Sequence, residues 1–267
     1  RFCAATGIHC EVSLKLPPFY QKYVDAGGLP VLGSTNVSDF AMLEARWILT
    51  HMLSARPEIL RAMATNGNRV VVMAYNEYTT DLPEQADMKP KVFWDRRARG
   101  LGGDLTSCGE EKRLCFPGDP YFTENILIHE FGHAIAQIGM PAVDATFVPR
   151  LREFYRRAKA AGLFQGTYAI TDMDEYWAEA VQDWFDNNRE NAAQHNPVNT
   201  RAVHAHAEGE ASEPRGAARV PQHPVIHRRL DSRPPLPAFS AAKLRVQLSD
   251  LGVQLSGEPG LVAEPVG

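Results

Sequence analysis

The chain has 267 residues, is 44% hydrophobic, and carries a formal charge of −4 with a pI near 6.2. Its length and apolar fraction support one domain of ordinary size with a sizeable core, or one such domain plus appendages. The mildly acidic balance gives no electrostatic reason to expect nucleic acid or an anionic membrane as partner, and no apolar run approaches the roughly 18 residues of a spanning helix.

Two of the four cysteines, Cys3 and Cys10, lie at the start, and Cys108 and Cys115 repeat their spacing. Neither pair has the C-x-x-C spacing of a zinc knuckle or redox site, so the expectation is two local disulfides in a secreted or periplasmic protein. No signal peptide is visible in the sequence given. The segment LPVLGS reads as a short strand entering a turn. Ser38 is placed to cap a helix with apolar Phe40, Leu43, Trp47 and Ile48 at helical spacing. Pro57 suits the first turn of a second helix and Gly67 its stop. The β-branched run RVVVMA then reads as a buried strand. Strand, helices, strand implies a crossover packed on a sheet. Residues 78–120 are rich in Gly, Pro and charge without clear periodicity, which predicts a long, partly ordered excursion over the surface.

From Thr123 the pattern is helical. A first helix is expected over 124–138, ending near Gly139 and Pro141. A second runs from about Asp144 to Ala161 with Phe147, Leu151, Phe154 and Tyr155, and stops at Gly162. A third is expected over 172–186, opened by a capping box of Thr171 and Asp174. Residues 202–267 contain eight prolines and one aromatic residue, Phe239, against 23 aromatics in residues 1–201. So few large apolar groups cannot offset the entropy of ordering, which divides the chain into a domain at 1–201 and a low-complexity, disordered tail at 202–267.

The first helix contains NILIHEFGHAIAQIG, residues 125–139. Residues four apart share a helix face, so His129 and His133 can reach one zinc ion. Glu130 projects beside it and can take a proton from a water that zinc makes nucleophilic near neutral pH. A third ligand must come from another element. The block DEYWAEAVQDWF offers Glu175 and Glu179, again four apart, where like charges repel unless a cation or donor lies between them. One carboxylate can bind metal while the other orients a liganding histidine. Residue pattern alone leaves either assignment open. Tyr168 sits in the loop before this helix, where a phenolic donor could stabilise an oxyanion. Weaker candidates are the Arg- and Gly-rich WDRRARGLGG as an anion site, Asp81 and Glu84 as cleft residues, and His195, His204, His206, His223 and His227 as metal-binding tail residues.

HEFGHAI followed by TYAITDMDEYWAEAVQDWF resembles the glutamate-zincin metallopeptidases, the group of anthrax lethal factor and the Pro-Pro endopeptidases. The resemblance rests on HEFGH, on a tyrosine seven residues before a glutamate (Tyr168 and Glu175), and on the block EYWAE. It implies a zincin-like α+β domain with a small N-terminal sheet. It further implies His129, His133 and Glu175 as zinc ligands, Glu130 as general base, Tyr168 as oxyanion donor, and Glu179 behind the ligands. It covers residues 123–186, so a substrate does not transfer with it. The expected activity is zinc-dependent hydrolysis of a peptide or protein substrate. The alternatives are hydrolysis of another amide or of a glycoside at the same zinc site, or a zinc-stabilised protein that only binds. Oligomeric state is not encoded in any pattern found.

Overall fold

The computed structural model describes residues 16–111, 124–185 and 187–188, together with the backbone of residues 2–3 and 8–9. The strands are β1 (Phe2–Cys3), β2 (Ile8–His9), β3 (Lys22–Ala26), β4 (Leu29–Gly33), β5 (Arg69–Met73), β6 (Gly100–Leu101) and β7 (Leu105–Gly109). They form one mixed sheet in the order β1-β2-β3-β4-β5-β7-β6. The helices are α1 (Asp39–Met52), α2 (Pro57–Thr65), α3 (Lys91–Arg97), α4 (Ile126–Ala134), α5 (Met140–Val143), α6 (Phe147–Ala160) and α7 (Met173–Trp184). The architecture is α+β, and no described helix is long and apolar enough to cross a membrane.

The sheet grows from local rules. Gly27 and Gly28, with φ of +67° and +102°, make the two-residue turn between β3 and β4, a conformation that glycine adopts without steric cost. The crossover through α1 and α2 returns the chain to β5 parallel to β4, and β7 joins parallel to β5. β5 is covered on both faces, which explains its unbroken apolar run. Val70 and Val72 face the main core with α1, α2 and α4, while Val71 and Met73 pack with Tyr20, Leu32 and Leu82 on the opposite face.

Several expectations are corrected. Residues 78–111 of the expected excursion hold elements that the sequence pattern did not name: a 3-10 turn (Thr79–Asp81), α3, and the β6–β7 hairpin that joins the sheet. Phe40 does not join the core but is exposed; the inward face of α1 is Ala41, Met42, Ala45, Ile48, Leu49 and Met52. The Ser38 hydroxyl makes no cap. Its backbone N–H instead donates to Glu110 from the end of β7, at 2.7 Å. Pro141 does not end the first helix, because a π turn at Ile135–Gly139 shifts the hydrogen-bond register just before it and carries the helix on into α5. Asp172, not Thr171, caps α7.

Cys108 is a free cysteine with no exposed surface, its Sγ 3.8 Å from the Val71 carbonyl. The expected bridge from Cys108 is therefore absent. Its strand pairs with β5, which turns the side chain into the core rather than toward a surface loop. The other expected disulfide, the remainder of the second, and the 202–267 tail lie outside the described residues.

Candidate metal centre

Two helices bring the site together. α4 is apolar on nearly every side, with Ile126, Leu127, Ile128, Phe131 and Ala134 all buried, so it lies inside the domain between the sheet and α7. The Asn125 side chain caps it by accepting from the Leu127 N–H at 3.1 Å. α7 begins where the Asp172 carboxylate accepts from the N–H groups of Asp174 and Glu175, both at 2.9 Å. The helices are tied at mid-length, where the buried Trp177 indole donates to the Gly132 carbonyl at 2.8 Å. The helices are close-packed at this point, where a Cβ on Gly132 would be in ordinary van der Waals contact, 3.5 Å from Ala178 Cα and Val181 Cβ.

This packing sets three donor atoms around one point. His129 Nε2 is 3.1 Å from His133 Nε2 and 3.1 Å from Glu175 Oε2, and His133 Nε2 is 3.5 Å from that same oxygen. Nitrogen and oxygen donors bound to one tetrahedral ion at 2.0–2.2 Å stand about 3.3–3.5 Å apart, so these separations match a shared ion. Glu175 Oε2 is buried yet accepts no hydrogen bond. A carboxylate oxygen in that state carries a desolvation cost that a cation relieves. His129, His133 and Glu175 thus form a group that fits a metal ion.

The electrostatics agree. Burial disfavours a charged His129, but the Glu175 carboxylate, then Glu130, outweigh it and raise its pKa to about 9. Burial pushes Glu175 up, and the two histidines beside its carboxylate, His129 first and then His133, overcome this and hold it well below the usual carboxylate range. The cluster is built around positive charge.

Tyr168 lies in a 3-10 turn (Tyr168–Ile170) just before α7 and donates to Glu175 Oε1 at 2.8 Å. Its ring stacks loosely on His129, 6.3 Å between centroids. Burial and the neighbouring Glu175 raise its pKa, so the phenol keeps its proton and remains a donor. Glu130, on the same helix as the histidines, is near enough to raise the pKa of both His129 and Tyr168 through its charge. Glu179 is fully buried, with Oε1 3.7 Å from His129 Nδ1, beyond hydrogen-bond reach. Its Oε2 accepts from Asn188 at 2.9 Å.

Two contributors are not evident from the motif. Gln182 Oε1, not Glu179, lies 2.7 Å from His129 Nδ1. The signal was there in spacing, since Glu175, Glu179 and Gln182 are i, i+4 and i+7 on one helical stripe. The second is the edge strand β6 and the turn after it. A Cβ on Gly102 would come within 2.7 Å of both the Glu130 carbonyl oxygen and His133 Cβ, and one on Gly100 within 3.1 Å of Glu130 Cγ. The glycines of WDRRARGLGG let the sheet edge lie directly against the histidine helix. Its arginine cluster is not an open anion site at Arg99, which grips the Glu111 carboxylate through Nε and Nη2 at 2.6 and 2.7 Å and donates to the Ala74 and Glu77 carbonyls. Glu84 is engaged by Tyr20 and Arg69, and Asp81 accepts from the Tyr78 N–H and from Lys91, so neither joins the centre. The five tail histidines lie outside the described residues.

No family model matches this chain, and no curated protein does. Among solved structures, it is similar to a Pro-Pro endopeptidase from Paenibacillus alvei at 19% identity and a TM-score of 0.41, over 58% of this chain and 83% of that one. A likeness at that level decides neither fold nor activity here; the geometry of the centre stands without it.

Proposed function

We propose that the chain is a zinc-dependent peptidase with a zincin-like domain, in which His129, His133 and Glu175 hold the metal. The observation that supports this most is the convergence of two imidazole nitrogens and the bare, buried Glu175 Oε2, with a further carboxylate, Glu130, on the same helix. Zinc bound there would polarise a substrate carbonyl and lower the pKa of a water to about 7.

The chain's own groups do the rest. Glu130 accepts the proton of the attacking water as its oxygen bonds to the carbonyl carbon, and returns that proton to the nitrogen as the C–N bond breaks. Tyr168, kept protonated, turns its O–H from Glu175 to the oxygen on which negative charge develops. Among the described residues β6 is an edge strand seated on α4 beside Glu130, which suits an extended chain whose main-chain groups pair with it.

The test is metal analysis of purified protein followed by digestion of a mixed peptide library. One zinc per chain and cleavage abolished by chelation are expected. Glu130→Gln should keep zinc and lose roughly 10²–10⁴-fold in turnover, since an amide cannot take the proton. A folded chain without stoichiometric metal, or a Glu130→Gln variant within a few fold of the parent, would refute the reading.

A further inference from the structure

We propose that Gln182 is a positioning residue that sets the tautomer of His129, with Glu124 fixing the orientation of Gln182 in turn. The argument is one of donors and acceptors. Gln182 has no exposed surface. Its Nε2 lies 3.1 Å from Glu124 Oε2 and 3.3 Å from the Asn187 carbonyl oxygen. A carboxylate and a carbonyl only accept, so the amide N–H₂ must face them. That leaves Oε1, which only accepts, against His129 Nδ1 at 2.7 Å. Nδ1 must therefore carry a hydrogen. In the neutral ring Nε2 then holds the lone pair, and Nε2 is the atom aimed at Glu175 Oε2 and His133 Nε2.

A free histidine side chain in water favours the other tautomer, with the proton on Nε2, so the protein reverses the intrinsic preference. Glu179 does not supply this contact, because its nearest oxygen is 3.7 Å from Nδ1. The arrangement also spans the two helices end to end: the Asn125 N–H donates to Asn187 Oδ1 at 2.6 Å, next to Glu124 at the start of α4 and beyond the end of α7. The pair thus sets both the proton position and the register of the helices that carry the donors. His133 has no counterpart, since its Nδ1 is buried without a hydrogen bond, so His129 is the ring whose lone pair is fixed in advance.

The tautomer rests on hydrogen bonding alone, whereas its consequence for zinc rests on the proposed metal centre; the experiment separates the two. Imidazole ¹⁵N NMR of the metal-free chain, at a pH where the ring shifts themselves show His129 neutral, should find its proton on Nδ1, and Gln182→Leu should move it to Nε2. Competitive titration of zinc against a chromophoric chelator should show Gln182→Leu binding about 10–100-fold more weakly. Because that variant leaves buried groups unpaired, a second is needed: Gln182→Glu with Glu124→Gln reverses the amide and the acid while restoring a donor between them. It should keep the proton on Nδ1 and recover most of the lost affinity, whereas Gln182→Glu alone should keep that proton but recover less affinity, as it sets two carboxylates face to face. An unchanged tautomer in Gln182→Leu, or a double variant no better than the single, would overturn the proposal. A parent chain that binds no zinc but still shows the Nδ1 proton and its loss would refute the metal reading and sustain the role of Gln182.

Discussion

Glu175 and Glu179 lie one helical turn apart and do different things. Glu175 presents a bare oxygen to both histidines, while Glu179 is buried deeper and engaged by Asn188. Glu175→Ala should therefore lower zinc affinity far more than Glu179→Ala, which removes only a group behind the ligands and should cost at most about 10–100-fold; competitive zinc titration of both variants distinguishes them. His129 makes a second prediction at this scale. Its pKa rises from 6.5 to about 9 on folding, since the neighbouring carboxylates outweigh the burial that opposes them. The charged ring stabilises the metal-free fold fully below about pH 6.5, and that contribution is lost as pH rises through 9. The thermal midpoint of the metal-free chain should fall between pH 7 and 10, while zinc affinity rises over the same interval because binding must displace the proton. Calorimetry in buffers of different ionisation enthalpy should register proton release at pH 7.5. A midpoint that climbs with pH would contradict the charge balance described for this cluster.

At the scale of elements, three surfaces meet at the centre: α4, α7 and the sheet edge at β6. Trp177 joins the first two through its bond to Gly132 and packs edge-on against Phe147, with ring centroids 5.1 Å apart. Gly102 joins the third. Gly102→Ala would place a methyl group within 2.7 Å of the Glu130 carbonyl oxygen, a backbone atom that cannot rotate aside. Either β6 lifts or α4 shifts, at a cost of about 1–3 kcal/mol. The variant should melt earlier and bind zinc more weakly through displacement of His133, and thermal melts with and without zinc would show both effects. Gly67→Ala is the control, as nothing stands within 4 Å of a Cβ there, although its φ of +82° strains any side chain. It should cost stability without a specific loss of zinc.

For the whole molecule, the sheet and its helices form the main core, and the metal donors all come from the helical layer over one face. Residues 202–267 hold a single aromatic residue, Phe239, too little apolar mass to stabilise a core by packing on it. Deleting them should leave the thermal midpoint within about 2 °C, since at this size one kcal/mol corresponds to roughly 2–4 °C. Scanning calorimetry of the two lengths tests this, and a drop of many degrees would show that the tail packs on the domain.

What the sequence determined by itself was local. Helical spacing placed His129 and His133 on one face, Pro57 and Gly67 marked the ends of α2, and the β-branched run of β5 declared a buried strand, because these features depend on neighbours a few residues away. The β6–β7 hairpin was hidden, since LTSCG and the glycines before it have little strand propensity and are held by pairing with a β5 that lies more than thirty residues earlier. The inward turn of Cys108 follows from that same pairing. Periodicity could name Glu175, Glu179 and Gln182 as one stripe, but it could not say which of them reaches the histidines at Nε2 and which at Nδ1. That depends on how far α7 is rotated and slid along α4, which Trp177, Gly132 and the bond between Asn125 and Asn187 decide through contacts more than forty residues apart in the chain. Only the packed tertiary structure fixes that register, because a shift of one helical turn exchanges the roles while leaving every local preference satisfied.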